Sequence, residues 1–300
     1  MEVLIVGAGV IGTVYGAHLA EAGNHVSVLA HRPRTDEVAE LDLRVRDVLD
    51  GNHIEAKASV VPDAAGVYDL VLVAVRRDQL ASACEGLAAL AGHPAVVFFG
   101  NNPAGRSAIT GRVRGDVYLG FPGVGGVMAG GTAVYVRIRQ QPTAMQDAPD
   151  PRLAEFESAL TTSGFAVQRV ADMDGWLIYH AALVACIAAA LYRCGTDPVR
   201  LAADHRILTL MCRAITEVFA ALRADGIAGL PCNLAVLHSP LLGPVAVRYW
   251  GTPCVRPWGS CASRRTPGAP RPSCGPSAMT WRLVSRAHLR SPSCFVLEPA

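Results

Sequence analysis

The first sixteen residues constrain the fold of this chain more than any other segment. Glu2-Val-Leu-Ile-Val6 is an apolar run of strand character that passes directly into Gly7-Ala8-Gly9-Val10-Ile11-Gly12, with helix-forming residues following as far as Gly23. Each glycine has its own task. Gly7 lets the chain leave the strand in a tight turn, Gly9 lets backbone approach a pyrophosphate, and Gly12 lets the helix pack close to the sheet. The helix start then presents N–H groups and a positive dipole end to the phosphates. A glycine turn with a purely structural role is the competing reading. Against it stands the second strand, His25–Ala30, which completes a βαβ unit with Gly23 as C-cap. Residues 1–20 are apolar and small, but Glu2 stands where a secretory signal carries cations.

Strand and helix signals continue to alternate. Asp69–Val75 reads as a strand buried on both faces, Asp78 as the cap of a helix over Gln79–Ala91, and Ala95–Phe99 as the next strand, ending in the turn 100–105. Val117–Phe121 and Ala133–Ile138 extend the sheet. Asp150-Pro151 opens a helix with Leu153, Phe156 and Leu160 on one face and Gly164 past its end, and Phe165–Val170 returns as a last strand. The pattern predicts a doubly wound α/β domain over 1–170. From 171 to 251 it turns helical, with one apolar helix over Gly175–Tyr192 and another starting at Asp197-Pro198 and running to Asp225-Gly226. An all-α second domain with a substrate cleft against the first is the expected plan.

Three hundred residues suffice for two domains. A net charge of +2 points neither to nucleic acid nor to an acidic membrane surface, and the apolar stretch Ala181–Leu191 is too short to span a bilayer. The nine cysteines form no CxxC pair. Cys84, Cys186, Cys194 and Cys212 lie in apolar helical surroundings, so no metal site is expected and the chain reads as a cytoplasmic protein with reduced thiols. Lys57 is the only lysine among 27 basic residues.

Residues 252–300 break the pattern: eight prolines, seven arginines, seven serines, four cysteines and a single acid, Glu298. The segment carries +6 (seven minus one) and has no periodicity, so disorder is expected. A basic interaction tail is one reading. A frameshifted C-terminus is the one we favour, because a GC-rich gene read out of frame yields this mixture.

Met1–Gly16, the strand Asp69–Val75 with Arg76 after it, and Val96–Gly105 together resemble the ketopantoate reductase (2-dehydropantoate 2-reductase) family. The resemblance is good over about residues 1–140, weaker over 150–250 and absent beyond. It implies a Rossmann-type domain followed by a helical one, and NADPH-dependent reduction of a small 2-keto acid on the route to pantothenate.

The residues themselves argue for NADP. The second strand ends in Ala30-His31-Arg32 with Arg34 beyond, where an NAD site carries a carboxylate for the ribose 2′-OH; guanidinium groups suit a 2′-phosphate. Arg76 stands where the family has a lysine near the cofactor phosphate. A solvated loop is the alternative for these arginines. Asn102 matches the family's asparagine near nicotinamide and substrate, or is a plain turn residue in Asn-Asn-Pro.

The catalytic residues depart from the family. Its lysine on the first long helix of the second domain, the acid toward the carbonyl oxygen, aligns with Trp176; its two asparagines align with His180 and Val184, and its late glutamate has no counterpart. Hydride transfer to a ketone leaves an alkoxide that needs a proton. His180, one helical turn after Trp176, is the substitute, with a core histidine as the alternative. Two readings follow: a reductase of a small 2-keto acid with altered acid chemistry, or a non-catalytic NADP-binding protein or decayed paralogue. A homodimer through the helical domain fits either.

Overall fold

Strand β1 (Glu2–Val6) is apolar because it lies at the centre of a sheet covered on both faces: Val3, Leu4 and Ile5 are fully buried. The computed structural model describes residues 1–29, 40–138 and 140–251. Helix α1 (Val10–Glu21) follows β1, then β2 (His25–Leu29), β3 (Glu40–Asp47), β4 (His53–Val61) and β5 (Leu70–Val73). Next come α2 (Leu80–Gly86), β6 (Ala95–Phe99), β7 (Asp116–Phe121), β8 (Val124–Ala129), β9 (Thr132–Arg137), β10 (Thr143–Gln146), α3 (Pro151–Thr162) and β11 (Val167–Val170). The order across the sheet is β11-β10-β7-β6-β5-β1-β2-β4-β3-β9-β8. From β7 to β4 all neighbours run parallel, while β10, β3 and β8 each enter antiparallel to a neighbour. The expected α/β fold with a helical C-terminal part is present.

Every strand expected from the sequence forms, with ends that match or differ by one or two residues. The sheet is larger than expected because β3, β4, β8 and β10 join it. Those additions explain an oddity of α1. Its residues Gly12 to Leu19 are all buried, since β3, β4, β8 and β9 pack on it as well as the parallel strands. A helix enclosed on all sides has no polar face, so its polar side chains bond inward. Tyr15 Oη lies 2.6 Å from Thr143 Oγ1 and accepts from Gly123 N at 3.0 Å, and burial drives the phenol's pKa far up. His18 Nε2 meets Tyr135 Oη at 2.8 Å.

Two helices differ from expectation. The helix over Gln79–Ala91 is a 3₁₀ turn, Arg77–Gln79, leading into the short α2, and Asp78 lies in the first turn instead of capping it. The helix expected from Asp197 to Asp225 is two, α5 (Pro198–Ala203) and α6 (His205–Ala224). Asp204 leaves helical geometry and caps α6 by accepting from Ile207 N at 3.0 Å, a local bond that competes with helix continuation.

The described residues fall into two compact units, Met1–Ala181 and 182–251, with the division inside α4 (Met173–Arg193). At 21 residues and a mean hydropathy of 1.7, α4 is long and apolar enough to cross a membrane by length and composition. The stretch judged too short from sequence is thus part of a longer helix. Trp176, Leu177, Tyr179, His180, Leu183 and Leu191 are buried in the protein, as in a core helix. In the second unit α6 buries Leu208, Met211, Cys212, Ile215 and Phe219 along one face. Two further helices, α7 (Cys232–Leu237) and α8 (Gly243–Gly251), complete it, and Trp250 Nε1 donates to His238 Nε2 at 3.3 Å. The segment 252–300 lies outside the described residues.

Candidate dinucleotide site

The three glycines after β1 divide their labour sterically. Gly7 has φ +100°, and a Cβ on it would lie 2.6 Å from the Ala74 carbonyl oxygen, just past β5. A Cβ on Gly12 would lie 2.0 Å from the Gly7 carbonyl oxygen, so only glycine lets the first turn of α1 close over the loop. Gly9 is different. It has an ordinary φ of −78°, and nothing lies within 4 Å of where a Cβ would be. That open space sits at the helix N-cap, which no side chain caps. The first intrahelical bond is Thr13 N to Gly9 O at 2.9 Å. The N–H groups of Val10, Ile11 and Gly12 therefore lack intrahelical acceptors. Ala8 and Gly9 are exposed and Val10 and Ile11 half-buried, so this cradle is open to a phosphate.

β1 has β2 on one side and β5 on the other, and the chain reaches them by opposite crossovers. The glycine turn thus lies at the topological switch point of the sheet, at the carboxyl ends of the strands, where α/β proteins hold nucleotides. The segments after β5 and β6 leave from the same edge. The first carries Arg76, exposed, with Nε and Nη2 donating to Asp78 Oδ1 and Oδ2 at 3.1 and 2.9 Å. Those hydrogen bonds hold the carboxyl below the usual range and raise the guanidinium. The second carries Asn102, buried, whose Nδ2 donates to Gly105 O at 2.9 Å and whose carbonyl accepts from Gly105 N at 3.0 Å. Asn102 therefore does form the turn. Its neighbour Asn101 was not singled out from sequence, yet its Oδ1 is buried with no hydrogen-bond partner among the described residues. A neighbouring asparagine in a turn gives no sequence signal of that kind.

The same loop is pinned to α4. Arg106 N donates to Asp174 Oδ1 at 2.6 Å, and a Cβ on Gly105 would fall 2.0 Å from that oxygen. Asp172 Oδ1 accepts from Gly175 N at 2.9 Å in the first turn of the helix. Two turns of α4 then place Trp176 and His180 against Phe121, the last residue of β7. The Trp176 and His180 rings stack with centroids 4.9 Å apart and planes within 5°, and Phe121 lies 4.1 Å from the His180 ring. Both residues are buried, at 6% and 4% exposure. The chain's one lysine is elsewhere, on β4, held by Asp42 at 2.7 Å and Glu40 at 3.7 Å. The structure thus brings Gly7 to Gly12, Arg76 and Asn102 to one sheet edge and places His180 in an aromatic cluster at the end of β7. Arg32 lies outside the described residues.

Fold and turn together are those of the dinucleotide-binding class of α/β proteins. Residues 3–149 match the model of the family described as ketopantoate reductase PanE/ApbA, and this part of the chain is a domain of that family. No curated protein matches the sequence. Among solved structures, the PanE/ApbA family ketopantoate reductase of Ralstonia eutropha JMP134 superposes with a TM-score of 0.63 at 24% identity, over 82% of this chain and 85% of that one. A dimeric ketopantoate reductase from Staphylococcus aureus gives 0.62 at 15%, over 83% and 86%. D-mandelate dehydrogenase in a ternary complex with NADH and anilino(oxo)acetate gives 0.62 at 18%, over 86% and 80%. At these identities the likeness is one of fold.

Proposed function

We propose that the protein is an NADPH-dependent reductase of a small 2-keto acid, 2-dehydropantoate or a close relative. The observation that carries the reading is the open, uncapped cradle at Gly9, set at the switch point of a ketopantoate-reductase-family domain. The residues present fit a dinucleotide: backbone N–H groups of Val10, Ile11 and Gly12 for the pyrophosphate, and Arg76, with Arg32, for the 2′-phosphate. The buried, unbonded Oδ1 of Asn101 suits an N–H donor such as a carboxamide.

A reduced nicotinamide held by these residues would supply the hydride for the keto carbon. The chain's own part is to fix the loop after β6 against α4 through Asp174, to exclude water with Phe121 and Trp176, and to deliver a proton to the carbonyl oxygen. His180 is the proton donor in this reading, acting from the helix on which the family carries its lysine. The loss of that lysine to a buried, stacked Trp176 favours a second reading, a non-catalytic NADP-binding protein.

Steady-state oxidation of NADPH by the purified chain, with and without 2-dehydropantoate and against an NADH control, separates the two. The reductase reading expects turnover that needs the keto acid, prefers NADPH and falls about a hundredfold or more in His180→Ala. Saturable NADPH binding with no turnover on a panel of 2-keto acids would establish the second reading instead.

A further inference from the structure

Arg76 meets any cofactor with its charge already engaged. Asp78 accepts from its Nε and Nη2 in a bidentate pairing between residues two apart, and both side chains are solvent-accessible, at 56% and 38% exposure. The backbone holds the pair in place. Arg76 N donates to Gln79 Oε1 at 3.3 Å, and Gln79 N donates to Arg76 O at 2.9 Å. The segment is also tied to the phosphate cradle, because Gly7 packs so closely on Ala74 and Val75 that a Cβ there would lie 2.6 and 2.9 Å from their atoms. A carboxylate is thus held beside Arg76, on the segment that leaves the end of β5 at the nucleotide edge.

We propose that Asp78 is a specificity-determining residue that competes with the cofactor's 2′-phosphate for Arg76 and so narrows the preference for NADPH over NADH. The inference rests on the reading of Arg76 as a phosphate ligand given above. A 2′-phosphate must displace or share the guanidinium and also approach a fixed negative charge, whereas a 2′-hydroxyl meets neither cost. Removing the carboxylate charge while keeping the side chain's shape therefore acts on one cofactor and not on the other.

The probes are 2′,5′-ADP, which carries the 2′-phosphate, and 5′-AMP, which lacks it, titrated calorimetrically into the full chain at low ionic strength. Asp78→Asn tightens 2′,5′-ADP about fivefold and leaves 5′-AMP within about twofold, the size expected for releasing an exposed ion pair. Arg76→Ala weakens 2′,5′-ADP alone, and Asp78→Asn has little further effect in that background. Both side chains are exposed, so an unchanged melting temperature shows that the variants fold. The proposal is overturned if Asp78→Asn leaves 2′,5′-ADP binding unchanged while Arg76→Ala weakens it, or if neither substitution matters. If the parent chain binds neither probe, the dinucleotide reading itself fails, an outcome distinct from both.

Discussion

Gly9 and Gly12 belong to one turn, yet a methyl group added to each has a different consequence. At Gly12 it meets the Gly7 carbonyl oxygen at 2.0 Å, and backbone on both sides has to move. Gly12→Ala is expected to cost about 3 kcal/mol of stability, read as a lower urea midpoint at unchanged slope. At Gly9 the methyl meets nothing and the backbone is already in a region open to alanine. Gly9→Ala is expected to leave stability within about 0.5 kcal/mol while occupying the space a pyrophosphate needs, so NADPH binding falls about tenfold or more. Equal losses of stability in the two variants would show that Gly9 is structural too. Residue type and spacing let the sequence give each glycine its own task; the close contact that enforces glycine at Gly7 was not legible, because it depends on what the end of β5 places beside the turn.

Helix α3 carries its own start and stop signals and was read correctly. Asp150 at its N-cap accepts from Arg152 N at 2.9 Å and from Tyr118 Oη at 2.8 Å, and Pro151 opens the helix. Arg152 bonds the same carboxylate and also reaches Asp116 at 2.7 Å, which holds the Asp150 carboxyl down at about 2. Asp150→Ala is therefore expected to cost about 2–3 kcal/mol, a cap plus the stranding of a half-buried arginine and phenol. Chemical denaturation checks it, and a loss below about 0.5 kcal/mol would mean that water replaces the carboxylate freely. The hairpin β3–β4 escaped although β3 alternates, with Leu41, Leu43 and Val45 more buried than Arg44 and Arg46, because the strands were sought as continuous apolar runs and a half-buried strand has none. The aromatic cluster around His180 was only half legible. Trp176 and His180 sit a turn apart as their spacing requires, but Phe121, which completes the cluster, comes from a strand 55 residues earlier, and no local pattern announces it.

His18 in the first compact unit and His238 in the second are buried histidines whose surroundings favour the neutral ring, and both shape the acid behaviour of the molecule. Burial pushes the His18 imidazole down to about 4, and Arg137 adds to the effect; Tyr135, Asp47, Asp50 and Glu21 are the other ionisable groups around it. Burial likewise takes His238 down to about 4, and its Nε2 accepts from the Trp250 indole, a bond that protonation there would destroy. Both folded-state values lie below the value near 6.5 of an unfolded chain. As pH falls through about 6.5 the unfolded chain takes up two protons that the folded one refuses, so stability present above that pH is lost progressively down to about 4. Below about 4 these two groups add nothing more. Asp150, depressed in the folded state, then takes over, its contribution fading as pH falls from about 3.8 toward 2. Urea midpoints measured from pH 7.5 to 4.5 should fall throughout that interval. The His18 and His238 imidazole resonances should stay in the neutral form at pH 5. Midpoints that stay level between pH 6.5 and 4.5, with the His18 and His238 imidazoles titrating near the unfolded value of about 6.5, would show that water reaches both rings and that neither is enclosed as described.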